Sequence, residues 1–217
     1  MTKMFPCERV DVSFTETAPY RFTNSVDLAI TPEQLFEVLA DAESWPHWAR
    51  VITKVTWTSP EPRGVGTTRT VDMHGGIVGD EEYLVWEPFT RMAFRFNKCS
   101  TKAVAAFAED YRVELIPAGC RMTWTLAQKP VGPAKLAMFV VRPLLNLIFR
   151  RFLSDLRRYT DTRFATTSRG YRQMAPNISV ARPAAASNML GRVKSPRGVT
   201  KVSVIVSAPP VAETMSV

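Results

Sequence analysis

Three charged residues stand on strand-like stretches whose neighbours of the same parity are mostly apolar, and chemistry is expected there first. Glu109 shares one side of an alternating run with Phe107 and Tyr111, Arg69 shares parity with Val71 and Met73, and Glu81 shares it with Tyr83 and Val85. A carboxylate on an inward face needs a partner or a raised pKa, because burying it alone is costly. An Arg69–Glu109 pair would meet that need. Such a set, with His74 beside the Gly75-Gly76 turn, can orient a carbonyl or enol and move a proton. Two plainer roles compete with this one: salt bridges at the rim of the fold, the commonest use of such residues, and a polar anchor for a ligand.

Other chemistries lack their residues. No Ser lies in a GxSxG context, so no nucleophile is marked, and catalytic residues stay unassigned. Gly64-Val65-Gly66 reads as a turn between strands rather than a strand-to-helix phosphate loop, which argues against nucleotide binding. His47 and His74 have no second ligand at metal spacing, so neither a metal nor another cofactor is implied. Cys7, Cys99 and Cys120 are odd in number, far apart and without a CxxC, which suits a reducing interior better than a disulfide framework.

The elements that must position these side chains follow from period. Tyr20 to Ile30 reads as a first strand. Thr31-Pro32-Glu33-Gln34 then opens a helix, with a capping Thr and Pro at the first helical position, and Leu35, Phe36, Val38 and Leu39 form its buried stripe. Asp41 caps a second short helix reaching Trp45-Pro46-His47-Trp48. From Val51 the period changes to two. Six hairpin-linked strands follow, over Val51–Trp57, Thr67–Met73, Ile77–Trp86, Arg91–Phe96, Val104–Ile116 and Cys120–Leu126. Pro133 to about Phe164 is a long helix that Pro143 should kink.

Charge separates body from tail. Of a formal net charge of +8, seven basic residues against one acid fall between Thr166 and Val217, which leaves about +2 for residues 1–165. Ala, Pro and Ser dominate that tail, and it reads as disordered apart from a local strand over 201–206. Its charge supports weak attraction to an anionic membrane or another polyanion, not specific nucleic-acid binding. The N-terminus lacks a signal-peptide pattern, and the apolar stretch Leu136–Phe149 is interrupted by Arg142 and Pro143 and is shorter than the about twenty residues of a bilayer span. A soluble, cytoplasmic protein is expected.

In its motifs the chain resembles the polyketide cyclase/dehydrase and lipid-transport branch of the START/Bet v 1-like (SRPBCC) superfamily. The resemblance is carried by Thr31-Pro32-Glu33-Gln34-Leu35-Phe36-Glu37-Val38-Leu39-Ala40-Asp41, by Trp45-Pro46-x-Trp48, by Gly64-Val65-Gly66-Thr67, by Glu81 five residues before Trp86-Glu87-Pro88, and by Gly119-Cys120-Arg121-Met122-Thr123-Trp124. It implies an α+β helix-grip fold: a curved antiparallel sheet of about seven strands around a long C-terminal helix, with two short helices after the first strand. The domain limits become 1–18 for an N-terminal extension, 19–165 for the helix-grip domain and 166–217 for the tail.

Such a sheet encloses a cavity lined by alternate strand positions. The expected lining is Met73, Phe94, Phe96, Phe107, Tyr111, Met122 and Trp124, joined by Arg69, Glu81, Tyr83 and Glu109, with Phe139 or Leu147 closing from the helix and Trp45 and Trp48 at the mouth. The function implied is binding or transport of a hydrophobic small molecule such as a lipid, polyketide or isoprenoid. A cyclase/dehydratase acting in the same cavity, a membrane-surface lipid exchanger and a protein-interaction module are the alternatives. Oligomeric state is not legible.

Overall fold

The computed structural model describes residues 2–174. Disorder of the chain beyond Met174, and the strand over 201–206, lie outside the described residues.

Eight strands form one antiparallel sheet: β1 (Phe5–Pro6), β2 (Tyr20–Leu28), β3 (Ile52–Trp57), β4 (Thr68–Met73), β5 (Ile77–Glu87), β6 (Arg91–Cys99), β7 (Val104–Ile116) and β8 (Gly119–Pro130). The order β2-β8-β7-β6-β5-β4-β3 makes β3 to β8 an uninterrupted meander, with β2 closing onto β8. Along β2, where exposed and buried residues alternate from Arg21 to Leu28, a slip of one residue would turn every buried side chain outward. The β7–β8 turn depends on Gly119, whose φ is +129° and whose missing Cβ would lie 2.1 Å from the Leu28 carbonyl oxygen. Only Gly relieves both constraints.

The N-terminal extension adds a strand that alternation does not reveal. β6 and β7 pair from Arg91↔Arg112 to Arg95↔Ala108 and then part. Into that gap β1 inserts: Cys7 donates its N–H to Asn97 O at 2.9 Å and Glu8 donates to Ala105 O at 2.7 Å. A two-residue strand has no period to read.

The described residues also form five α-helices, α1 (Phe14–Thr17), α2 (Pro32–Ala40), α3 (Trp45–Trp48), α4 (Pro133–Arg163) and α5 (Ala165–Met174), and short 3-10 turns over Ala42–Ser44 and His74–Gly76. α2 starts with the expected reciprocal cap, Gln34 N–H to Thr31 Oγ1 at 3.3 Å and Thr31 N–H to Gln34 Oε1 at 3.1 Å. α4 runs through Pro143 without a break in its helical assignment. Its C-terminal half is buried through Phe152, Leu153 and Leu156. Arg50–Asp155 at 3.1 Å ties it to the end of α3, and Arg163 ties it to Glu37 and Asp41 of the α2 region, both at 2.7 Å. Its N-terminal half is mostly exposed. Helical structure continues into α5, past the limit of 165 read from composition.

Candidate functional site

Between the sheet and α4 lies a cavity of about 370 Å³. Its lining includes Trp45, Trp48, Phe94 and Tyr111, all fully buried, whereas Val51 and Ile77 of the same lining are exposed and mark the mouth. Stacked aromatic rings supply most of the inner wall. Tyr111 lies between Phe94 and Trp124, with ring centroids 6.0 and 5.9 Å away, and Phe149 of α4 meets Trp124 edge-on at 5.2 Å.

The polar side chains converge at the buried end. Arg69 stands opposite Glu81 in the β4–β5 ladder, and its Nε donates to Glu81 Oε2 at 2.5 Å. The guanidinium lies over Trp45 and Phe94, 4.3 and 4.7 Å from their ring centroids, so aromatic faces replace part of its lost hydration. Its two terminal nitrogens, Nη1 and Nη2, have no hydrogen-bond partner among the described residues. Glu109 stands opposite Phe94 in the β6–β7 ladder and accepts hydrogen bonds from the Tyr111 hydroxyl and, at 3.1 Å, from Trp124 Nε1.

Burial governs the charge of this cluster. It pushes Glu109 up to about 8, against the opposing pull of the Tyr111 hydrogen bond, with Glu81 raising it further. Glu109 is therefore protonated at neutral pH. Burial also raises the Glu81 carboxyl, while the Arg69 charge beside it pulls it back. Burial lifts the Tyr111 phenol well above its usual value, so it stays a proton donor. Arg69 and Glu81 form a direct salt bridge, and Glu109 favours its neutral form. The cluster thus offers donors to an acceptor oxygen without a charge for a counter-ion. A carboxyl that titrates near 8 also lies in the range where it can move a proton.

Nine of the residues expected to line the cavity do so: Arg69, Met73, Glu81, Phe94, Phe96, Phe107, Glu109, Tyr111 and Trp124. Others differ. Tyr83 is buried, yet it stacks on Trp57 at 5.6 Å and meets Trp86 at 4.8 Å, packed in the core outside the cavity lining. Met122 packs in the core opposite Val26 and Val113 rather than in the cavity wall. Trp45 and Trp48 are buried walls, not the mouth, because the α3 turn packs them inward with centroids 4.8 Å apart. Phe139 is 79% exposed and Leu147 also faces outward; Met138, Leu145, Phe149 and Phe152 close the cavity instead. Arg69 bonds to Glu81, its ladder partner, rather than to Glu109. His74 is exposed and outside the lining. Leu126, the last residue of the strand as read from sequence, and Gln128, two residues beyond it, continue the Trp124 face and also line the cavity. Reading β8 to its end at Pro130 would have found Gln128.

Among the described residues no helix is long and apolar enough to cross a membrane. An uncharacterized protein of Mycobacterium tuberculosis is 76% identical over 162 residues, which are 75% of this chain and 97% of that protein. Two solved structures share the fold at low identity. A START superfamily protein from Mycobacterium smegmatis superposes with a TM-score of 0.51 at 14% identity, over 67% of this chain and 97% of its own. The di-domain ARO/CYC StfQ from the steffimycin biosynthetic pathway gives 0.54 at 11%, over 67% of this chain and 52% of its own. Residues 19–161 match the family model described as polyketide cyclase/dehydrase and lipid transport, and the chain belongs to that family.

Proposed function

We propose that the cavity binds one hydrophobic small molecule, held at its buried end by a neutral acceptor oxygen such as a ketone, ester or amide carbonyl. The observation that carries this reading is the pair of unpartnered Arg69 nitrogens in a chamber whose lining is mainly aromatic and aliphatic. A buried guanidinium left half-satisfied is costly, and a ligand oxygen would remove that cost. The ion pair with Glu81 argues for a neutral head over a carboxylate, which would add a buried negative charge beside two acidic groups. The size suits one compact ligand, since about 370 Å³ lies near the lower end of ligand pockets at about 300–1,000 Å³. A two-chain phospholipid is too large to be enclosed.

A second reading rests on Glu109. A protonated carboxyl titrating near 8, bonded to Tyr111 within the same cavity, is equipped to transfer a proton to or from a bound carbonyl compound, as a cyclase or dehydratase requires. Glu109→Gln separates the two readings: an enzyme loses turnover with binding kept, whereas a carrier keeps its ligand with little change.

The test is native mass spectrometry of the full chain purified gently from its host, followed by extraction of whatever is bound. A stoichiometric apolar adduct containing carbonyl oxygen is the expected result. A clean empty mass, with no thermal stabilisation by a panel of aromatic ketones and esters, overturns the proposal.

A further inference from the structure

The N-terminal half of α4 carries a feature that the cavity does not use. Leu136 lies three and four residues before Phe139 and Val140, Leu144 four after Val140 and Leu147 three after Leu144, so they share one face, and all are exposed. Leu136 and Val140 are 78% and 73% exposed. The opposite face of the same helix, Met138, Leu145, Phe149 and Phe152, walls the cavity. A contiguous apolar face of this kind on a water-exposed helix marks a binding surface.

Charge identifies the occupant. The sequence has no Asp or Glu between Glu114 and Asp155, whereas Lys135, Arg142, Arg150 and Arg151 lie on α4 itself. Asp155, the first acid reached along the helix, is already engaged by Arg50, Arg151 and Arg158. Beside the apolar face a shallow groove between β2 and α4 is lined by Arg21, Arg142 and Asn146. A second copy packed face to face would bring these cations together and be repelled. An anionic phospholipid surface satisfies both halves of the pattern, acyl chains taking the apolar side chains and headgroup phosphates the cations.

We propose that the outer face of α4 from Leu136 to Leu147 docks the protein onto an anionic phospholipid bilayer. The helix then lies in the interface plane with Lys135 and Arg142 at headgroup level. This holds whatever the cavity carries, and it places the membrane against the helix that forms one wall of the chamber.

The experiment is co-sedimentation of the full chain with vesicles of phosphatidylcholine alone and of phosphatidylcholine mixed with phosphatidylglycerol. Wild type should bind the mixed vesicles and bind the neutral ones weakly. Phe139→Asp/Leu147→Asp replaces two exposed side chains and should lower the partition coefficient more than about tenfold, given the apolar area each contributes. The urea midpoint should stay unchanged. Leu136→Gln/Val140→Gln, a milder change on the same face, should weaken binding in the same direction. Binding of both variants equal to wild type overturns the proposal and moves the contact elsewhere in the chain. Failure of wild type to bind the mixed vesicles also overturns it, as does a dimer in solution that dissociates on Phe139→Asp/Leu147→Asp, which makes a second copy the occupant.

Discussion

At the residue scale the site is a problem in unpaired charge. Removing Glu81 alone leaves the Arg69 guanidinium buried without a counter-charge, while replacing both removes charge and partner together. Glu81→Gln should therefore destabilise the fold by about 3–5 kcal/mol, and Arg69→Met/Glu81→Gln by clearly less, as read by urea denaturation. A larger loss in the double variant would mean that the pair itself holds the strands together. Glu109 gives a prediction in pH. Its folded pKa of about 8 stands above the ordinary 4.5, so the native state holds a proton that the unfolded chain releases. That contribution is full below the unfolded value and is lost as pH rises through the folded one. Between about pH 5 and about pH 8 wild type should lose stability relative to Glu109→Gln. Parallel profiles would show that Glu109 is ionised in the fold. Strand parity placed Arg69, Glu81 and Glu109 on inward faces. It could not choose the partner of Arg69, because Glu81 and Glu109 both qualify by parity and only the ladder sets Arg69 opposite Glu81.

At the scale of elements, legibility followed the strength of the local signal. The α2 cap was readable because the Thr31 and Gln34 side chains accept from free backbone N–H groups at the helix start, where Pro32 has no N–H to leave unpaired. Thr31→Ala should cost about 1 kcal/mol and Thr31→Ser much less, measured by thermal unfolding. The inward face of α4 was not readable. From Leu136 to Phe149 nearly every turn is apolar on all sides, so spacing does not say whether Phe139 or Met138 faces the sheet; only packing decides. Gly79 is a further hidden element of the design. A Cβ there would meet the Phe96 ring at 2.7 Å, and Phe96 is stacked on Phe107 at 4.2 Å. Gly79→Ala should cost about 1–3 kcal/mol and push Phe96 into the cavity, reducing its capacity for a ligand. A crystal structure of the variant with Phe96 unmoved would refute this.

At the scale of the whole molecule, the element order was legible and the cavity was only implied by resemblance. The volume left between sheet and helix depends on where bulges shift the register, here between Asp80 and Glu81 and between Tyr83 and Val85, which alternation does not encode. Aromatic packing of Trp57, Tyr83 and Trp86 fills one part of the interior, and the space left open extends from Arg69 to Ile77. Arg69, with its buried unpartnered donor pair, borders that space. The most direct measurement is a calorimetric titration of the full chain with 2-acetonaphthone and with 2-ethylnaphthalene, which differ in one carbonyl oxygen. The ketone should bind wild type about ten- to a hundredfold more tightly, the worth of a hydrogen bond to a charged donor, and that advantage should vanish in Arg69→Met/Glu81→Gln. Equal binding of the two compounds by wild type, or binding of neither, would contradict the account.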